Sequence, residues 1–257
     1  RKSEEIVKNI LKKLDKYCHE NKILLAHGSL PVDSKIENLN HFSKCLYQNT
    51  PWDTWITSLE PELDTIYNSL HKKIRYDVRK GEKDNLIFEI AADRSVLDEW
   101  FEAKFAENKN KNDLIKKYEK FNDFTWDILY KHNFEKTYVA RLDGKLISGI
   151  SNKLFNQNAV QHAVVNSTKK IQGGSFLTWN AIKWSKENNY LTYDVGGANP
   201  SPISSKEKGI RHFKSKWSGE KYDFSLVAKS YNKNKLKLFR TLNSPNLIRT
   251  KISSLFK

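Results

Sequence analysis

Three runs rich in β-formers, Thr137–Leu142, Leu146–Phe155 and Ala159–Val165, follow one another with almost nothing between them. Asp143-Gly144 separates the first two, and Asn156–Asn158 the second and third. Asp-Gly and Asn-rich junctions of two or three residues accept the positive φ angles of tight hairpins, so the three strands are expected to form an antiparallel meander. A meander of this kind buries one face only when other elements cover it. The flanking segments supply them: a helix expected at Ser175–Glu187, a strand at Tyr190–Val195, a helix around Gly209–Trp217 and a strand at Tyr222–Lys229. Upstream, Leu86–Ala91 reads as a strand, and Ser95–Glu107 and Asp113–His132 as helices. The order β-α-α-β-β-β-α-β-α-β describes an α/β (α+β) domain with a mixed, mostly antiparallel sheet flanked by helices.

The first 84 residues are less regular. Ile6, Val7, Ile10, Leu11, Leu14, Tyr17 and Cys18 recur at helical spacing, and the apolar run Ile23–Ala26 reads as a buried strand. Leu59, Leu63, Ile66, Tyr67, Leu70 and Ile74 mark a further helix, with Ser58 as its expected N-cap.

Composition excludes several function classes. With 38% hydrophobic residues and seven Trp among 257, the chain can build a core without disulfides. Its two cysteines, Cys18 and Cys45, are too few for a disulfide framework or a zinc site, and the seven histidines lack metal-ligand spacing. No apolar run reaches the roughly 18 residues that a membrane span needs. A charged, amphipathic start is unlike a secretory signal, so the expected setting is the cytoplasm. No nucleophile elbow, Walker A loop, H-E-x-x-H or paired C-x-x-C is present.

Charge is lopsided: 45 Lys and Arg against 30 Asp and Glu give +15. Residues 201–257 hold 14 basic residues against three acidic ones, and His71–Lys83 holds six against two. Concentrated positive charge favours anionic partners such as RNA, nucleotide diphosphates or an anionic membrane surface. A solvated, lysine-rich surface is the plainer alternative.

Three motifs have the residue types that acyl transfer requires. Gln172-Gly173-Gly174-Ser175 opens a helix where free N–H groups could hold a phosphate, or where a simple turn could lie. Asp194-Val195-Gly196-Gly197 ends a strand, the usual place for a ligand in an open sheet; there Asp194 could hold or deprotonate an amine, or be structural. Lys208–Trp217 carries Arg211 and Lys214, and a lysine over a reaction centre stabilises an oxyanion. A merely charged helix face is its alternative.

Three segments resemble the Fem-type (FemAB-like) aminoacyltransferases that build peptidoglycan interpeptide bridges, within the GNAT acyltransferase fold. They are Lys72–Lys83 (K-K-I-R-Y-D-V-R-K-G-E-K), Tyr193-Asp194-Val195-Gly196-Gly197, and Gly209-Ile210-Arg211-His212-Phe213-Lys214. The family patterns run roughly R-x-x-I-R-K-A-x-K, Y-D-x-G-G and G-I-x-x-F-K, in the same order. The resemblance implies tandem GNAT-like domains: residues 1–84 plus 231–257, apparently incomplete at the start, and residues 85–230. It implies transfer of an amino acid from aminoacyl-tRNA to an amine of a cell-wall peptide precursor, with no metal or other cofactor required. Lys214 and Asp194 would be catalytic. Phe213, Arg211, Gly196, Gly197, Tyr193, Arg75 and Arg79 would bind substrate, Phe213 at the acceptor site and the two upstream arginines on phosphates. The implied partners are charged tRNA and a nucleotide- or lipid-diphosphate-linked precursor, with peripheral contact to an anionic membrane surface left open and a monomer expected. Two alternatives stay open. One is an acyl-CoA-dependent GNAT N-acyltransferase, against which the loop Lys170–Ser175 departs from the coenzyme A pattern at its first and last positions. The other is a non-catalytic RNA- or anionic-surface-binding protein.

Overall fold

The computed structural model describes residues 2–29, 42, 45, 47–106, 125–166, 171 and 173–235. These residues form α1 (Lys2–Glu20), β1 (Leu25–Ser29), β2 (Gln48–Ser58), α2 (Leu63–Ser69), α3 (Lys72–Lys83), β3 (Ile87–Ile90), α4 (Arg94–Ala106), a π-helical turn at Thr125–Tyr130, β4 (Glu135–Leu142), β5 (Lys145–Phe155), β6 (Asn158–Asn166), α5 (Gly173–Glu187), β7 (Thr192–Asp194), α6 (Ser205–Lys214) and β8 (Glu220–Ser230). Two compact units result, residues 53–222 and residues 1–52 with 223–257. These boundaries fall inside β2 and β8, whereas the sequence placed them after residues 84 and 230. α2 and α3 belong to the larger unit because their apolar residues Ile66, Leu70, Ile74 and Val78 enter the same core as Tyr138, Ile150 and Leu177.

In the larger unit the strand order is β2-β7-β6-β5-β4-β3. The described pairings are antiparallel except β6 with β7, which is parallel. The meander forms as expected, and its turns show why. Asp143 and Gly144 take φ of 51° and 74°, and Asn156 and Gln157 take 47° and 61°. Paired positive φ values at both central residues give the primed turn whose twist matches two right-twisted strands.

One sheet face is covered by α2, α3 and α5, with Tyr138, Ile150, Ala159 and Tyr193 beneath them. On the other, Leu97, Trp100 and Phe101 of α4 and Tyr130 pack on Val139, Ala163 and Val165. Trp100 packs against Gly149 of β5, where a Cβ would sit well inside van der Waals contact of the indole Cδ1 and Nε1. Gly149→Ala must therefore push a fully buried ring off its seat. We expect a loss of about 1–3 kcal/mol, the usual cost of overpacking a core, seen as a lower urea midpoint at unchanged slope.

Several expectations need correction. The helix expected from Leu59 to Ile74 is two helices, because the chain breaks at Leu70-His71 and His71 caps α3 by accepting from the Lys73 amide at 3.1 Å. Ser58 is not an N-cap: it ends β2, a strand missing from the sequence reading. α6 begins four residues before Gly209, since Ser204 and Glu207 form a reciprocal capping box. Of the helix expected at Asp113–His132, residues up to 124 lie outside the described residues, and 125–130 form the π-helical turn.

In the smaller unit β1 pairs antiparallel with β8, from Leu25↔Ser230 to Ser29↔Leu226. Leu11, Tyr47 and Val227 form its apolar cluster. Asp15 of α1 accepts from Lys229 Nζ at 2.6 Å and Tyr231 Oη at 2.5 Å, which fixes the helix to the strand.

Candidate functional site

β6 and β7 pair in parallel only over Asn158–Val160 and Thr192–Asp194. Beyond Asp194 the chain turns while β6 continues to Asn166. The carboxyl ends of parallel strands are where open sheets receive ligands, and the residues of the second and third motifs meet here.

Asp194 is buried, and its Oδ1 accepts from Thr54 Oγ1 of β2 and from the Gly196 amide at 2.7 Å. Burial pushes its carboxyl above the ordinary value, against the hydrogen bonds from Thr54 and Gly196 and the charge of Lys214. The bond to Gly196 is an Asx turn, a carboxylate closing the backbone two residues on. Gly196 takes φ of 78°, and a Cβ there would collide with the Gln161 carbonyl of β6 and stand 3.0 Å from Lys214 Nζ. Both glycines of the Gly196-Gly197 pair thus belong to the site, one through its close approach and one through its carbonyl.

Lys214, at the last position of α6, donates from Nζ to the Gly197 carbonyl at 2.8 Å. Burial pushes its ammonium down to about 8, with Asp194 working against that fall. The result is a half-buried ammonium held by one carbonyl over a glycine turn. Such a group has further N–H bonds to give. An oxygen acquiring negative charge beside it would receive them.

α6 is aimed by its own caps. Glu207 accepts from the Ser204 amide at 2.9 Å and from Asn199 Nδ2 at 3.3 Å, and these bonds pull its carboxyl down to about 2. Arg211 is bound to buried Asp53 of β2 and lies 5.3 Å over the Trp55 ring. Lys221 Nζ stands 3.4 Å from the same carboxylate.

The remaining residues predicted for the site lie elsewhere or face inward. Tyr193 is fully buried, its hydroxyl donating to Gln161 Oε1 at 3.0 Å and accepting from Asn152 at 3.1 Å, so its side chain has no surface for a substrate. Phe213 packs against the core, edge-on to Trp217 at 5.9 Å. Arg75 donates from Nη1 to the Asn68 carbonyl and, at 3.1 Å, to the Leu70 carbonyl, closing the C-terminal end of α2. Arg79 is exposed on α3. Gly173 and Gly174 begin α5, and a Cβ on Gly173 would stand 2.6 Å from that of Ser148, so close helix–strand packing explains this glycine. Lys170 and Gln172 lie outside the described residues.

Sequence reasoning missed Asp53 and Thr54, which hold Arg211 and Asp194. The concentration of β-formers in Trp52-Asp53-Thr54-Trp55-Ile56-Thr57 was the available strand signal. Among the described residues no group of three or more His, Cys, Asp or Glu is arranged to hold a metal ion, and no helix is long and apolar enough to cross a membrane.

Residues 68–214, more than half of the chain, match the family model of an acetyltransferase (GNAT) domain. Among solved structures the chain is similar to FemX, with 15% identity, a TM-score of 0.63, and coverage of 86% of this chain and 76% of that one. It is similar to L-PGS from Bacillus licheniformis, at 13% identity and a TM-score of 0.55, covering 90% and 75%. A tandem GNAT protein from the clavulanic acid biosynthesis pathway follows at 10% identity and a TM-score of 0.53, covering 84% and 67%. Curated proteins give no significant match. The chain belongs to the acetyltransferase (GNAT) domain family, as an acyltransferase with a Fem-like fold.

Proposed function

We propose that this acyltransferase is an aminoacyltransferase, moving an amino acid from aminoacyl-tRNA to an amine of a cell-wall peptide precursor. The observation that carries the proposal is Lys214, the last residue of G-I-x-x-F-K, held over the Gly196-Gly197 turn at the end of β7. The resemblance of those segments to the Fem-type enzymes supplies the donor and acceptor classes.

The chemistry is aminolysis of an ester. The amine nitrogen attacks the carbonyl carbon, a new N–C bond forms, and the carbonyl oxygen becomes an oxyanion. Lys214 donates to that oxyanion. When the tetrahedral adduct collapses, the C–O bond to the ribose breaks and the ribose oxygen takes a proton. Asp194 supports the step by anchoring the turn and placing negative charge beside Lys214. No covalent enzyme intermediate is needed, since proximity and oxyanion stabilisation carry the rate. Aminoacylated tRNA and the diphosphate of a nucleotide- or lipid-linked precursor are both polyanions, in keeping with the net charge of +15.

The match to an acetyltransferase domain favours a second reading, in which acyl-CoA is the donor. One assay separates the two: purified protein with a pool of tRNA charged with radiolabelled amino acids, or with labelled acetyl-CoA, and a nucleotide-linked precursor peptide. We expect transfer from charged tRNA, abolished by ribonuclease. Transfer from acetyl-CoA alone selects the second reading. Precursor and RNA binding without turnover from either donor overturns both and leaves a binding protein.

A further inference from the structure

The sheet face that carries Asp194 continues across β6 and β5 to a polar cluster on β4. Asp194 pairs with Val160, Val160 with Lys153, and Lys153 with Glu135. Residues directly opposite on neighbouring strands point to the same face, so Glu135 shares the face of Asp194 three strands away, about 14 Å at the usual strand spacing. Between them sits His162. The β5–β6 register jumps from Ser151↔Ala163 to Asn152↔Gln161, which leaves His162 as the extra residue of a β-bulge. A bulge re-aims the side chain it carries and often adjoins an active site.

Three observations make this histidine more than a surface residue. First, its neighbour Gln161 is the residue whose carbonyl Gly196 abuts, and Gly196 is the residue that approaches Lys214 Nζ. The bulge therefore begins at the wall of the oxyanion turn. Second, His162 Nε2 lies 2.8 Å from Glu135 Oε1, and that oxygen also accepts from Ser151 Oγ at 2.5 Å. Glu135 is buried, whereas the imidazole side chain keeps 31% of its surface exposed. Burial pushes the Glu135 carboxyl up, but the His162 ring and the Ser151 hydroxyl more than offset that and hold it below its ordinary value. Third, a carboxylate can only accept, so the neutral ring keeps its proton on Nε2 and its lone pair on Nδ1. Tyr130 and Thr137 bond to each other and to Ser151 behind the pair, which fixes Glu135 from the far side.

We propose that His162 is the proton acceptor for the incoming amine and that Glu135 is its positioning residue. The proposal rests on the acyl-transfer reading above and completes its proton balance. As the amine nitrogen bonds to the carbonyl carbon, its proton passes to His162 Nδ1. As the C–O bond breaks, that proton passes on to the ribose oxygen, so the enzyme ends as it began. Asp194, its Oδ1 held by Thr54 and Gly196, stays an anchor. The charged groups at the pair are Glu135 on β4 and, acting on its carboxylate, Lys153 on β5, with Tyr130 of the π-helical turn behind them through Ser151.

The test uses His162→Gln and Glu135→Gln in the full chain. His162→Gln should lower kcat about 10²-fold or more, the usual worth of a general base, with KM for charged tRNA unchanged and the acidic limb of the pH–rate profile removed. Glu135→Gln should lower kcat less than His162→Gln does, with KM again unchanged and the acidic limb retained, because the ring keeps its lone pair and loses only its orienting partner. A rate loss matched by a loss of folded protein, or an unchanged acidic limb in His162→Gln, overturns the proposal. A readout free of any donor separates it from the transfer reading: nitrogen NMR of the His162 ring, with Nα-acetyl-lysine as the amine probe. The expected result is the Nε2–H tautomer, with a Nδ1 shift that responds to the probe. The other tautomer, or no response, overturns the dyad even if transfer is observed. An inactive wild type with a responding ring instead counts against the tRNA donor.

Discussion

Lys214→Met is expected to lower kcat by about 10²–10³-fold, or roughly 3–4 kcal/mol of transition-state stabilisation, the range seen when one oxyanion donor is removed. Methionine keeps most of the length and the apolar stem of lysine but cannot donate, so KM for the donor should change little. The pH dependence identifies the residue. Burial holds the Lys214 ammonium at about 8, against an ordinary 10.5. The wild-type rate should therefore fall above pH 8, by about tenfold per unit once the lysine is neutral. Lys214→Arg, which stays charged throughout, should lose that alkaline limb even if its bulkier fork reduces the maximum rate. Stability should move in the opposite direction. Between pH 8 and 10.5 the unfolded chain holds a proton on this lysine that the folded chain has released, so stability rises with pH across that window. The wild-type urea midpoint should carry this rise and the methionine variant should lack it. An alkaline limb that persists near pH 8 in Lys214→Met would assign the titration to another group and remove the support for Lys214 as the oxyanion donor.

That opposition between activity and stability follows from position, and position was the part least visible in the sequence. The meander, α5 and the end of β7 were legible because their determinants are local. Asp143-Gly144 and Asn156-Gln157 carry the turn geometry in their own φ angles, and the apolar face of α5 repeats every three or four residues. The Lys214 motif was legible as a pattern, although α6 starts earlier than its glycine suggested, because Ser204 and Glu207 act through backbone bonds that spacing alone does not reveal.

β2 was missed for the opposite reason. Pro51 and Asp53 argue against a strand when taken singly, and Asp53 is tolerated in one only because Arg211, 158 residues later, comes to meet it. Thr54 likewise becomes a site residue only through Asp194, 140 residues away. The basic segment before residue 84 shows what composition leaves out. Its charges suggested phosphate contacts, and part of that charge also has partners in the fold: Nη1 of Arg75 donates to two backbone carbonyls, and Lys73 and Lys80 pair with Asp77 and Asp84, each at 2.8 Å. A charge count registers the cations and not their partners. The same blindness hid Glu135 and His162, which are 27 residues apart and meet only through the fold of the meander and the bulge in β6.

Gly196→Ala should be the most damaging single-methyl change in the larger unit. The residue sits at φ of 78°, where an L side chain costs about 1–2 kcal/mol. Its new Cβ would meet the Gln161 carbonyl, a backbone atom of a central strand that has no rotamer to escape into. Relief requires the turn to move, and the turn is held by the Asp194–Gly196 and Lys214–Gly197 bonds. We expect a loss of about 2–4 kcal/mol, in the upper part of the range for point changes, hence a drop in Tm of about 5–15 °C for a unit of this size. Transfer by the fraction that remains folded should fall as well, because any shift of the Gly197 carbonyl releases the Lys214 ammonium from its place. Gly209→Ala provides the contrast. Gly209 lies exposed inside α6 with nothing within 4 Å of a new Cβ, so alanine should stabilise the chain by up to about 1 kcal/mol through helix propensity. If both glycines belong to the family pattern for the same catalytic reason, both variants should lose transfer alike. If the steric account is right, Gly196→Ala loses stability and turnover together while Gly209→Ala gains stability. A Gly196→Ala protein that melts with the wild type would mean that the turn can slide along β6, and the close approach that places Lys214 would then lose its role.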